Sequence, residues 1–176
     1  MERIQLLTTE NAPEKSKGVL EEITKDMGKV INVFKVMSNS SAVLKTYFGI
    51  AKALDEKTLD NATAERIALR VSALNACEYC SAAHAYLALP VLSQEEISLA
   101  RKGQSQDAKA QAALDFASSV MKNAGKVSDE EFEKVKSAGF SDSEILEIVT
   151  VVAQTFFTNT INNVSQTRVD FPKPKD

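Results

Sequence analysis

The sequence predicts an all-α fold, and three observations carry that expectation. Alanine, leucine, lysine and glutamate are plentiful, while 176 residues hold only 6 glycines and 4 prolines and aromatics make up 6%. That mix favours helix over strand and turn. Apolar residues recur at three- and four-residue steps along most of the chain, the period of an amphipathic helix, and no segment alternates convincingly as a strand would. Several of these runs open on Ser-x-x-Glu, a pattern that starts helices by exchanging side-chain and backbone hydrogen bonds. The length is that of one domain, 1–176, and 44% hydrophobic residues suffice for a real core.

Taken in order, residues up to about Pro13 are expected to be extended. Glu14 to Met27 reads as an amphipathic helix with Val19, Leu20 and Ile23 inward, stopped by Gly28. Ile31 to Met37 is apolar but too short to assign. Ser40 or Ser41 caps a helix to about Leu54, whose positions Val43, Leu44, Tyr47, Phe48, Ala51 and Leu54 follow the helical period. After a loop from Asp55 to Asn61, a helix runs from about Ala62 to Leu74 with Ile67, Ala68, Val71 and Leu74 on one face. A further helix carries the cysteines and ends before Pro90. Ser93-x-x-Glu96 opens a short helix to about Lys102. Asp107 to Asn123 is alanine-rich, with Ala113, Phe116, Ala117, Val120 and Met121 inward and Gly125 as its stop. Ser128-x-x-Glu131 opens another short helix. Ser141-x-x-Glu144 opens a long one to about Gln166, with Ile145, Ile148, Val149, Val152 and Phe156 inward. The tail from Phe171 to Asp176 is expected to be loose.

The chemistry is concentrated in Asn75-Ala76-Cys77-Glu78-Tyr79-Cys80-Ser81-Ala82-Ala83-His84, which holds both cysteines and the single histidine of the chain. Asn75-x-x-Glu78 is a variant capping box, which would make Asn75 an N-cap and place Cys77 at N2. In that first turn the free N–H groups and the helix dipole stabilise a thiolate. Cys80 and His84 follow at steps of three and four, so two thiols and an imidazole share one helical face. A thiolate can attack an electrophile, a second thiol can close a disulfide, and an imidazole can move the proton. Two other readings stand beside this one. The three side chains would serve as buried packing residues, or two thiolates and an imidazole would bind zinc with a carboxylate or an open fourth position.

The residues Glu65-x11-Cys77-x2-Cys80-x3-His84 resemble the signature of the alkylhydroperoxidase D-like group within the carboxymuconolactone decarboxylase family. The lead-in Ala64-Glu65-Arg66-Ile67-Ala68-Leu69-Arg70-Val71-Ser72-Ala73-Leu74-Asn75 is similar as well, and the likeness is strongest from about Tyr47 to Leu89. The resemblance implies the family's helical fold and a thiol-dependent peroxidase or disulfide reductase. It implies that Cys80 attacks a hydroperoxide and that Cys77 donates a proton and then resolves the sulfenic acid as a disulfide. Glu65 and His84 would relay protons, with no metal or organic cofactor, and a dithiol donor would restore the thiols. Relatives assemble as trimers or hexamers, so a homo-oligomer is expected. The alternatives are a lactone decarboxylase, the family's other activity, and a redox-responsive adaptor that turns nothing over.

From spacing alone Glu65 reads as a favourable first-turn acid. On one straight helix it would lie roughly 18 Å from Cys77, at about 1.5 Å per residue, so the chain must turn near Asn75 for the relay to form. Two arguments also compete over the attacking thiol, since helix position favours Cys77 and the step to His84 favours Cys80. Tyr79, between the cysteines, would donate a hydrogen bond or pack.

Farther on, Glu144, Phe156, Asn159 and Asn163 repeat the spacing of Glu65, Cys77, Cys80 and His84. The expectation is a degenerate duplication, an active half at about 40–90 and a second half at about 107–166 without the chemistry; helical packing alone is the competing account. Asn162 and Asn163, near the end of an apolar helix, need partners if buried. A net charge of −3 argues against nucleic acid as a partner. The start Met1-Glu2-Arg3-Ile4-Gln5 lacks the apolar core of a signal peptide, and no apolar run would span a bilayer. A cytoplasmic location, with no membrane partner, is therefore the expectation.

Overall fold

A computed structural model describes residues 2–174, and among them the structure is all helical, as the sequence predicts. The helices are α1 (Glu14–Met27), α2 (Asn32–Met37), α3 (Ser41–Leu54), α4 (Asn61–Leu74), α5 (Glu78–Leu87), α6 (Gln94–Lys102), α7 (Ala108–Lys122), α8 (Asp129–Ser137) and α9 (Asp142–Ser165). Their starts follow the polar residues ahead of them. Asp60, Ser93 and Asp107 each accept a hydrogen bond from the backbone N–H three residues on, and Ser128/Glu131 and Ser141/Glu144 form complete capping boxes. Each such cap satisfies donors that the first turn leaves open, worth about 1 kcal/mol. Ser40 holds the N-cap position of α3 without a side-chain bond.

The core is organised around α4, which packs against α5, α6, α7 and α9. Ile67 and Val71 enter one apolar cluster with Ala113, Phe116, Ala117, Val135, Ile145, Ile148 and Val152. Leu69 enters a second, with Ala85, Leu92 and Ile97. A third joins Leu20, Ile23, Phe34, Met37 and Leu44 to Cys77, Tyr79, Cys80 and Ala83. The cysteine helix is therefore sandwiched between the N-terminal helices and the main bundle.

Three expectations require correction. Val149 and Phe156 do not point inward: they are 37% and 46% exposed, because the core contacts of α9 are made by Ile145, Ile148, Val151 and Val152. The tail is not loose at its start, since Asp170 accepts hydrogen bonds from Asn32 N–H and Tyr79 Oη–H, and the Phe171 ring packs edge-on against Tyr79. Its last two residues lie outside the described range. The third correction concerns Asn75 and is taken up with the site. The stretch of the second half that echoes α4 and α5 is one uninterrupted helix, α9. In the first half the chain breaks at residues 75–77.

Candidate active site

Asn75 does not cap the cysteine helix; it ends the helix before it. Ala76 takes the left-handed conformation at φ 49°. Its N–H bonds to Ala73 C=O at 3.1 Å and Cys77 N–H bonds to Ser72 C=O at 2.9 Å, the paired closure of a Schellman motif. The residue after this closure is Cys77, which is itself the N-cap of α5: its Sγ accepts from Cys80 N–H at 3.2 Å. Asn75 is diverted because its side chain is used elsewhere, donating through Nδ2 to Asn159 Oδ1 at 2.9 Å. Cys77 thus sits one position outside the helix rather than at N2, still at the positive end of the α5 dipole.

The turn lays α5 back against α4, and the four residues meet in two pairs. Cys77 and Cys80 are joined as a disulfide with their Cα atoms 5.4 Å apart. Both residues are almost wholly buried, at 1% and 3% exposure. The reversal of direction between α4 and α5 brings Glu65 back alongside His84, and Glu65 Oε2 lies 2.9 Å from His84 Nδ1. Glu65 therefore meets His84, which lies four residues, about 6 Å of helix rise, beyond Cys80 on α5. The carboxylate fixes the orientation of the imidazole and leaves Nε2 free to exchange a proton, whichever tautomer Nδ1 adopts. Glu65 and His84 together line a cavity of about 190 Å³ between α3, α4 and α9. Nearby, Tyr47 is pushed up from its ordinary pKa, first by burial and then by the Glu65 charge, so its hydroxyl stays protonated.

Cys77 lines a larger, open cavity of about 550 Å³ with Glu78, Ser81, Arg101 and Lys173, and Cys80 is not among its lining residues. Of the buried pair, Cys77 is the residue that borders this cavity. Tyr79 anchors that arrangement. Its hydroxyl donates to Asp170 Oδ1 at 2.8 Å and accepts from Val33 N–H at 3.2 Å. Burial, opposed by the Val33 bond and aided by Asp170, holds its pKa far above the ordinary value, so it remains a donor.

Of the residues singled out in the sequence, the structure pairs Cys77 with Cys80 and Glu65 with His84, and the two pairs line different cavities. Sequence reasoning asked for partners for Asn162 and Asn163 without supplying them. Three asparagines of α9 close on the α4–α5 turn. Asn159 Nδ2 donates to Ser72 Oγ at 3.3 Å, Asn163 Nδ2 to Asn75 C=O at 2.9 Å, and Asn162 Nδ2 to Cys80 Sγ at 3.3 Å. Two of these, Asn159 and Asn163, are the positions that echo Cys80 and His84 in the second half. The signal for their role was present as a polar edge on an otherwise apolar helix. Among the described residues no group of three or more His, Cys, Asp and Glu side chains is gathered as metal ligands.

This is the geometry of a dithiol site with a carboxylate–imidazole pair on a helical scaffold. Residues 41–123 match the model of the carboxymuconolactone decarboxylase family. A solved structure of an alkylhydroperoxidase AhpD core protein, an uncharacterized peroxidase-related protein from Ralstonia eutropha JMP134, superposes with a TM-score of 0.86 at 23% identity, covering 96% of this chain and 92% of that one. A peroxidase-related protein from Silicibacter sp. TM1040 superposes at 0.81 with 23% identity over 95% and 91%. The debrominase Bmp8 superposes at 0.78 with 20% identity over 96% and 92%. At these identities the likeness concerns the fold. No curated protein matches the sequence.

Proposed function

We propose that the chain is a thiol-dependent peroxidase or disulfide reductase that reduces organic hydroperoxides. The observation that carries this reading is the Glu65–His84 contact of 2.9 Å beside a C-x-x-C pair. Cys80 attacks as the thiolate: its sulfur bonds to the terminal peroxide oxygen, the O–O bond breaks, and the alkoxide takes a proton and leaves as alcohol. The resulting sulfenic acid on Cys80 is attacked by Cys77, which releases water and closes the disulfide. His84 accepts or supplies the protons and Glu65 holds it in orientation. A dithiol donor then reduces the disulfide. The paired sulfurs and the relay are sufficient for this cycle, and no metal or organic cofactor enters it. The site acts in a cytoplasmic homo-oligomer.

Lactone decarboxylation, the other reading within the family, would not need two sulfurs. The readings separate on one set of variants. Cys77→Ser should react with a single equivalent of an organic hydroperoxide and then stall, with a dimedone-reactive sulfenic acid on Cys80. Cys80→Ser should lose peroxide consumption in the presence of a dithiol. A dimedone adduct on Cys77 of the Cys80→Ser protein, formed at the rate of the unsubstituted chain, would reverse the two roles. Full peroxide consumption after both substitutions would end the thiol reading.

A further inference from the structure

The Asn162 side chain is the least expected polar group at the site. It is 3% exposed, near the end of a largely apolar helix, and its Nδ2 lies 3.3 Å from Cys80 Sγ. Its Oδ1 is buried with no hydrogen-bond partner among the described residues. Its backbone is held in place, because Asn162 C=O accepts from Thr167 N–H at 3.1 Å where α9 ends. Asn159 and Asn163, on either side, bond to Ser72 and Asn75 and tie the same stretch of α9 to the turn before Cys77. The amide is thus presented to the sulfur by a rigid frame.

A disulfide sulfur is a weak acceptor, so in the oxidised protein this contact gains little. The same N–H pointed at a thiolate forms a charge-assisted bond, which is shorter and roughly twice as strong as a neutral one. A protonated thiol could instead donate to Oδ1 after the amide rotates. An amide serves both forms of the thiol, and leucine at this position would serve neither.

We propose that Asn162 is a catalytic residue of the thiol chemistry, whose side-chain amide binds Cys80 Sγ and stabilises it as the thiolate. This rests on the reading of Cys80 as the reacting sulfur, and it extends to the reductive half of the cycle. A thiolate of the dithiol donor attacks Sγ of Cys77, the residue of the pair that borders the larger cavity. The S–S bond breaks, its electron pair leaves on Cys80 Sγ, and Asn162 Nδ2–H receives the charge. The donor's second thiol gives up its proton, displaces the Cys77 sulfur, and leaves as a disulfide.

The test is made on reduced full-length protein with Cys77→Ser, so that Cys80 is the single thiol, by following its iodoacetamide alkylation against pH. Cys80 should titrate below the ordinary thiol value of about 8.5, and a value at or above it overturns the proposal. Asn162→Leu and Asn162→Asp should each raise the titration by about one unit and slow alkylation at neutral pH about tenfold. Circular dichroism confirms that each variant retains its helices, and the isosteric Asn162→Asp carries the comparison if Asn162→Leu does not fold. A folded variant whose profile stays within about twofold of its parent overturns the assignment. Peroxide is absent from this assay. A shifted profile in a protein that consumes no peroxide therefore upholds the amide's role and sinks only the peroxidase reading.

Discussion

Each titrating group at the site is placed by one neighbour. His84 takes its orientation from Glu65, Cys77 receives the N–H of Cys80, and Cys80 receives the amide of Asn162. The competition between helix position and histidine spacing thus has a physical content. Cys77 has the backbone donor and the dipole, and Cys80 has the side-chain donor. If the imidazole is the proton carrier, His84→Ala should keep both thiols and slow the first turnover by about 10²–10⁴-fold, the usual worth of general acid–base assistance. Glu65→Gln keeps the shape and can still hydrogen-bond Nδ1, but it lacks the charge that stabilises an imidazolium. It should therefore lose less than His84→Ala. Single-turnover stopped-flow kinetics with an organic hydroperoxide measures both effects, and unchanged rates in the two variants would reduce the pair to packing.

At the scale of elements, the site depends on how α4 stops. Caps with a side-chain oxygen were legible in the sequence: Ser93, Asp107, Ser128 and Ser141 start helices where their patterns said they would. The break between α4 and α5 was legible only as a geometric necessity, because Glu65 had to reach back toward the cysteines. Its mechanism was hidden, since Ala76 is a strong helix former and gives no sign of the left-handed conformation it adopts. Asn75-x-x-Glu78 offered a competing start signal, overridden because tertiary contact with Asn159 claims the Asn75 side chain. Likewise the three asparagines of α9 showed their polarity in the sequence and concealed their targets, which lie more than eighty residues away. An L-residue at a left-handed position costs roughly 1–2 kcal/mol, part of which glycine would recover at the expense of unfolded-chain entropy. Ala76→Gly is expected to stabilise the protein by about 0.5 kcal/mol, while Ala76→Val should destabilise it by more than about 1 kcal/mol. Urea denaturation monitored by circular dichroism gives both values. A stabilising Ala76→Val would show that the turn is not held as described.

At the scale of the whole molecule, the long last helix has two faces of unequal fate. Ile145, Ile148, Val151 and Val152 fill the core beside α4 and α7. The adjoining side leaves Leu146 67%, Val149 37%, Phe156 46% and Val164 57% exposed. The helical period that made Val149 and Phe156 look like core residues was real, but it marks a second apolar stripe rather than the first, and periodicity alone does not say which stripe is covered within the chain. No helix among the described residues is long and apolar enough to cross a membrane. A stripe of this kind along a 24-residue helix suits contact with another copy of the chain, where burying apolar surface contributes about 25 cal/mol per Å². The protein is therefore expected to form a homo-oligomer through this face. Light scattering at micromolar concentration should give a multiple of 19.2 kDa for the unsubstituted chain. Leu146→Glu combined with Phe156→Glu, both at exposed positions where the isolated fold should tolerate charge, should shift that mass toward one chain with the helical content retained. A mass of one chain for the unsubstituted protein would sink the expectation of assembly. An unchanged oligomer in the double variant would move the interface to another surface.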